Sequence, residues 1–224
     1  MALRKRDGGG RGIANGDAAG SLSGMLVHDD ASSGLPDRVR LPFDFDPVSL
    51  AADLGQFDEH EWTSHFVRDN YQGDWSALPL RSAAGETHPK RMIYTGLTDR
   101  PYVDTPLLDR APNLRQALAR FECELRSVRL MRLGPGSLIR EHFDPDLDAA
   151  EGSARLHVPL TSNEGVEFRL NGVPVDMEPG SVWYLRLADP HSADNRGSTD
   201  RIHLVIDAVV NDWLQQMLRA GVRA

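Results

Sequence analysis

From Leu125 onward the sequence is a run of short apolar–polar alternations separated by tight-turn residues, and this pattern leaves few folds open. Val128-Arg129-Leu130-Met131-Arg132-Leu133 is a short apolar-rich run that reads as a strand and stops at the turn Gly134-Pro135-Gly136. Ser137–His142, Arg155–Leu160, Ser181–Leu187 and Arg201–Val210 have the same strand character. Glu167–Val175 predicts a hairpin with Asn171-Gly172 at its tip, a pair that accepts the positive φ of a type I′ turn. Strands of this kind, with turns every ~8–12 residues, predict an antiparallel sandwich or barrel.

The first half is less regular. Residues 1–36 are rich in Gly, Ser, Ala and Asp without periodicity and read as a disordered tail. Residues 37–224 are then expected to form a single domain, with its motif-bearing core over 125–212. Val39–Phe45 reads as a strand weakened by Pro42, and Asp46-Pro47 opens a short helix, with Asp46 as N-cap and Leu50 and Leu54 facing inward. Trp62, His65 and Phe66 mark an apolar stretch whose periodicity assigns no element. Asp69–Asp74 reads as a turn. Trp75–Arg81 alternates, with Trp75, Ala77 and Pro79 on one face and Ser76, Leu78 and Leu80 on the other. Gly and Pro punctuate residues 82–113, which predicts loops over the site. Asn113–Phe121 reads as a helix with Leu114, Ala117, Leu118 and Phe121 on one side, and Asn211–Arg219 as a closing helix with Asn211 as N-cap.

Against this frame one constellation carries chemistry: His142-Phe143-Asp144 and, well downstream, His191. Two neutral imidazoles and one carboxylate can hold one face of an octahedral Fe(II) and leave three positions open for a bidentate co-substrate and O2. On an extended strand, residues two apart share a side, so His142 and Asp144 can reach one ion, and a second strand must bring His191 alongside. Arg201 begins a strand-like run. A guanidinium buried there would need a carboxylate partner, and the far carboxylate of 2-oxoglutarate suits a planar fork. His203 shares its face and is a candidate for pocket lining. Trp183 and Tyr184 alternate faces and are expected to pack. His28, His60, His65 and His88 have no ligand-like company and are expected to be solvent-facing or structural.

Composition narrows the partners. The chain has 224 residues, enough for one domain with a substantial core. Its net charge of −8, with no basic face evident beyond Arg4-Lys5-Arg6, argues against a nucleic-acid partner. One cysteine, Cys123, excludes an intrachain disulfide and fits a reducing compartment. No apolar run is long enough to cross a bilayer, and the basic start lacks the apolar segment of a secretory signal. A cytoplasmic protein acting on a small molecule, without nucleic acid or membrane, is expected; a homodimer is compatible with the chain.

The block from Gly136 to about Asp212 resembles the aspartyl/asparaginyl β-hydroxylase superfamily of Fe(II)/2-oxoglutarate oxygenases, which includes bacterial enzymes acting on free proline. The matching pieces are Ile139–Asp144, Arg155-Leu156-His157-Val158, Pro179–Trp183, Pro190–Ala193 and Arg201–Asp207, in this order. The resemblance implies a mainly β fold with flanking helices, a double-stranded β-helix or cupin-like jelly roll with the metal at its open mouth. It implies iron on His142, Asp144 and His191, the distal carboxylate of 2-oxoglutarate on Arg201, and Arg155 and His157 near the same co-substrate. The animal enzymes of the family lack the carboxylate ligand; Asp144 makes this chain more similar to the bacterial members with small substrates.

The activity so implied is hydroxylation of an unactivated C–H in a free amino acid, or in an Asp-, Asn- or Pro-like residue of a peptide or natural product, with O2 consumed and succinate and CO2 formed. No Ser-His-Asp or Cys-His arrangement calls for a protein nucleophile. For an amino-acid substrate, Arg81, Arg132 and Arg140 are cationic candidates for its carboxylate, Trp75 for an apolar wall, and Asp146 or Asp148 for its amine. Two other classes compete: a jelly-roll protein that binds a small acid through a metal without turnover, and a metal-dependent cupin-like isomerase or hydrolase.

Overall fold

Alternation along the strands sorts side chains onto two faces, and the molecule is built on that sorting. The structure, a computed structural model, describes residues 34–94 and 98–223. The tail expected over residues 1–36, with Arg4-Lys5-Arg6 and His28, falls outside the described residues up to residue 33. At its end, Leu35 packs against the main core.

The chain forms β1 (Arg38–Asp44), α1 (Pro47–Ala52), β2 (Thr63–Ser64), β3 (Tyr71–Gln72), β4 (Trp75–Ala83), α2 (Pro89–Met92), β5 (Tyr102–Asp104), α3 (Pro106–Asp109) and α4 (Pro112–Leu118). There follow β6 (Leu125–Leu133), β7 (Ser137–His142), β8 (Ser153–Thr161), β9 (Val166–Leu170), β10 (Val173–Pro174), β11 (Ser181–Leu185), β12 (His191–Asn195), β13 (Arg201–Val209), α5 (Asp212–Ala220) and β14 (Val222–Arg223). Two antiparallel sheets result. The larger runs β14-β1-β11-β8-β13-β6-β4-β2, with β5 beside β4, and the smaller runs β10-β9-β12-β7-β3. This is the double-stranded β-helix expected.

The large sheet has one dry face and one working face. Leu78, Leu130, Leu156 and Leu204 point to the helices, where Leu50 of α1, Leu114 of α4 and Leu214 of α5 cover them. Each such leucine contributes about 1.5–3 kcal/mol by leaving water. The intervening residues, among them Trp75, Met131, Trp183 and Val205, face the small sheet and meet Ile139, Phe168 and Ala193. The site lies on this second face. The helix starts follow from local chemistry. Asp46 caps α1 by accepting from Val48 N–H and Ser49 N–H, each at 3.2 Å, and Asn211 caps α5 by accepting from Leu214 N–H at 3.0 Å. Asn171 (φ 52°) and Gly172 (φ 72°) form the expected hairpin tip.

Two expectations need correction. The stretch 82–113 is not loop throughout: it contains α2, β5 and α3, and β4 extends to Ala83. These short elements are held by tertiary pairing, such as Ser82 with Val103, which leaves no periodicity to read. Helix α4 ends at Leu118, and Phe121 packs from the following turn. Strand β12 is required at His191 by the ligand geometry, but its residue pattern does not mark it as a strand. Its inward residues are His191, Ala193 and Asn195, and with one small apolar side chain among them the period-two hydrophobic signal is absent.

Candidate active site

His142 closes β7 and His191 opens β12. The two strands pair antiparallel with these residues opposite each other, and their ring centroids lie 4.3 Å apart. Asp144 comes after the strand has ended, so it is not held by strand pleating. Its N–H donates to Leu187 O at 2.7 Å, which ties the chain back beside β11. One ligand atom from each of His142, Asp144 and His191 lies within 4.8 Å of the others.

The hydrogen bonds fix which ring nitrogens are available. His142 Nδ1–H donates to Arg140 O at 2.8 Å, and His191 Nδ1–H donates to Asp189 O at 3.0 Å. Each Nε2 is therefore left with a bare lone pair, the form a metal requires. Burial pulls His191 down to about 4, so the ring is neutral at physiological pH. Burial alone would raise Asp144, but the Arg155 guanidinium, His191 and His142 hold it below the ordinary carboxylate value. Two imidazoles and one carboxylate, with no thiolate, fit Fe(II) with open positions for 2-oxoglutarate and O2.

A cavity of about 360 Å³ opens on this cluster. Phe66 and Tyr94 stand at its exposed edge, while Arg201, His157, Arg155 and Arg129 line its buried part. Arg201 is 4% exposed, and its Nε has no partner. Its Nη2 donates to His203 Nδ1 at 3.0 Å, and among the described residues no carboxylate pairs with it. Burial pulls the guanidinium down to about 9, still protonated at neutral pH. His203 and His157 approach through their Nδ1 atoms at 3.4 Å. Burial, reinforced by Arg201, keeps both imidazoles well below their ordinary value and neutral. Phe168 joins this end to the metal cluster: its ring lies parallel to His191 at 6.1 Å and 6.0 Å from the Arg201 guanidinium carbon. An uncompensated buried cation costs several kcal/mol unless an anion arrives. Arg201 and the His142, Asp144 and His191 cluster line the same cavity.

Arg155 has partners of its own. It donates through Nη1 to Asp144 Oδ2 at 2.7 Å and through Nη2 to Asp207 Oδ2 at 3.1 Å. Arg129 lies beside this pair, 3.6 Å from Asp207, and donates to Ile93 O at 3.1 Å.

The expected substrate residues separate. Trp75 lines the cavity, and so does Asp146 at its exposed side. Arg81 is engaged by Asp104 and by Tyr102 O. Arg132 forms a fork with Glu59, at 2.6 and 2.9 Å, and covers Trp62. Arg140 reaches Asp69 O, and Asp148 caps Ala150 N–H at 2.9 Å. None of these four lines the cavity. Three residues with no role assigned from sequence do bear on it. Arg129 and Asp207 sit on β6 and β13 with period-two phase matching Met131 and Val205, a signal that could have placed them on the working face. His65 also lines the cavity, stacked on Trp75 with centroids 3.6 Å apart, and burial pulls it down to about 3. It lies outside any long strand, so no periodicity marked it.

The family model for aspartyl/asparaginyl beta-hydroxylase matches residues 50–210, well over half of the chain. The chain belongs to the aspartyl/asparaginyl β-hydroxylase family. Among the curated members it resembles, an L-proline cis-4-hydroxylase of Rhizobium meliloti (strain 1021) is 30% identical over 177 residues, which is 78% of this chain and 61% of that protein. The chain thus spans less than two thirds of that relative's length. Two solved structures are similar to this family member at a distance. A viral collagen prolyl hydroxylase from Paramecium Bursaria Chlorella virus-1 has TM-score 0.47 at 11% identity, covering 80% of this chain and 99% of that one. A Pseudomonas putida prolyl-4-hydroxylase has TM-score 0.46 at 14% identity, covering 78% and 93%.

Proposed function

We propose that the protein is an Fe(II)/2-oxoglutarate-dependent dioxygenase that hydroxylates an unactivated C–H of a free amino acid, or of an Asp-, Asn- or Pro-like residue in a peptide or natural product. The observation that carries this reading is Arg201, a buried guanidinium without a carboxylate partner among the described residues, in the same cavity as His142, Asp144 and His191. Iron with 2-oxoglutarate and O2 supplies the oxidation, with succinate and CO2 as co-products. The chain's residues do the rest. His142, Asp144 and His191 hold the metal and keep three positions open. Arg201 fixes the distal carboxylate of the co-substrate, with His157 and His203 as neutral donors and acceptors around it. Trp75, His65 and Phe168 exclude water from the reacting region. Arg129, with its Nε unpartnered, offers charge to a substrate carboxylate.

The likeness to an L-proline cis-4-hydroxylase supports a small cyclic amino acid as the first substrate to try. The oxygenase unit is assigned to residues 37–224, with its motif-bearing core over 125–212. A cytoplasmic location is assigned on the single cysteine, and no helix among the described residues is long and apolar enough to cross a membrane. Incubation with Fe(II), 2-oxoglutarate, ascorbate and a panel of amino acids and peptides tests the proposal. Substrate-dependent succinate release is expected with at least one of them. A protein that binds metal and 2-oxoglutarate yet never consumes O2 would instead be a binding protein.

A further inference from the structure

A facial carboxylate must bind iron through one oxygen. If Asp144 turned to offer both, it would fill a position that the co-substrate or O2 needs. Asp144 does not stand alone. Arg155 Nη1 donates to its Oδ2 at 2.7 Å, which leaves Oδ1 as the oxygen for a metal. What points Arg155 is Asp207. Strand register places the two directly opposite on β8 and β13, and the Asp207 carboxylate takes the Nε–Nη2 edge of the guanidinium with both oxygens. The guanidinium is planar, so fixing one edge fixes the direction of Nη1. Arg155 and Asp207 sit on the working face of the large sheet, and both are buried.

We propose that Asp207 is a positioning residue for the carboxylate ligand, acting through Arg155 to hold Asp144 in single-oxygen coordination. This rests on the metal-site reading given above. The rival role for Asp207 is charge balance alone, since Arg129 also lies 3.6 Å from it. The two roles differ in what the folded protein does with a metal. Outer partners of metal ligands set affinity, and losing one weakens binding about 10–100-fold. Charge balance alone predicts that Arg155→Lys, which keeps the cation, leaves the metal affinity of folded molecules unchanged, whereas the relay predicts that it falls.

The experiment is calorimetric titration of full-length wild type, Asp207→Asn and Arg155→Lys with Co(II), held well below each protein's apo melting temperature. Both variants should bind Co(II) roughly 10–100-fold more weakly. The double variant should be no weaker than the weaker single one, because both changes cut the same relay. In turnover, both should consume more 2-oxoglutarate per product formed. An Asp207→Asn protein that melts earlier but binds Co(II) within twofold of wild type overturns the proposal. Should that variant fail to fold, Arg155→Lys decides: its ammonium keeps the charge but cannot bridge two carboxylates in a plane, and unchanged Co(II) affinity overturns the relay. Wild type that binds no Co(II) overturns the metal-site reading itself, a different failure.

Discussion

Arg201 is the residue on which most depends, because a buried cation that no carboxylate pairs among the described residues calls for an anionic ligand. Replacing it with Ala should remove charge-assisted hydrogen bonds of about 1.5–3 kcal/mol. The KM for 2-oxoglutarate should then rise roughly 10- to 100-fold, with a smaller effect on the KM for the amino acid. Steady-state kinetics in each substrate checks this, and an equal rise in both would argue against a dedicated co-substrate role. Cys123 behaves in the opposite way, as a group kept out of chemistry. Burial pushes its thiol up to about 11 from 9.0, so at pH 8 only about one molecule in a thousand carries thiolate. The folded state favours the protonated form. The stability linked to this group is therefore complete below pH 9 and is lost as pH rises through 11. Maleimide labelling at pH 8 should be far slower in the native protein than in urea, and equal rates would show the thiol to be accessible and unperturbed.

Among the elements, the turn before β11 is the most exacting. Gly180 has φ +87°, and a Cβ there would stand 2.3 Å from Phe45 O. Its N–H donates to Pro159 O at 2.9 Å, and its carbonyl accepts from Phe45 N–H at 2.8 Å, so the backbone cannot move aside cheaply. Gly180→Ala should cost about 2 kcal/mol or more, combining backbone strain with overpacking. Gly172 has a similar φ of +72° but no neighbour within 4 Å of a built Cβ. Gly172→Ala should therefore carry the strain alone, about 1–2 kcal/mol. Urea midpoints for the two variants test the difference; equal losses would mean that the clash relaxes.

For the molecule as a whole, the two sheets meet around a cavity lined by buried charges, and ligands should do part of the stabilising. A ligand present at 100 times its Kd adds about 2.7 kcal/mol to a protein that binds it only when folded. Co(II) should raise the melting temperature, and 2-oxoglutarate should raise it further only when metal is present. Arg201→Ala should keep the first shift and lose most of the second. Differential scanning fluorimetry measures both, and a 2-oxoglutarate shift that persists in the variant would place the co-substrate elsewhere.

The sequence alone determined the strand series from β6 to β13 except β12, the hairpin tip, the helix caps at Asp46 and Asn211, and the grouping of His142, Asp144, His191 and Arg201. Period-two alternation, capping chemistry and ligand type are local properties, and they survive without a partner strand. Tertiary structure decided that Arg81, Arg132 and Arg140 spend their charge on Asp104, Glu59 and Asp69 O rather than in the cavity. It also brought His65 to the cavity, stacked on Trp75, and paired Asp207 with Arg155. A guanidinium's partner depends on which strand lies opposite and in what register. That is set by packing between segments far apart in the chain, and no single segment encodes it.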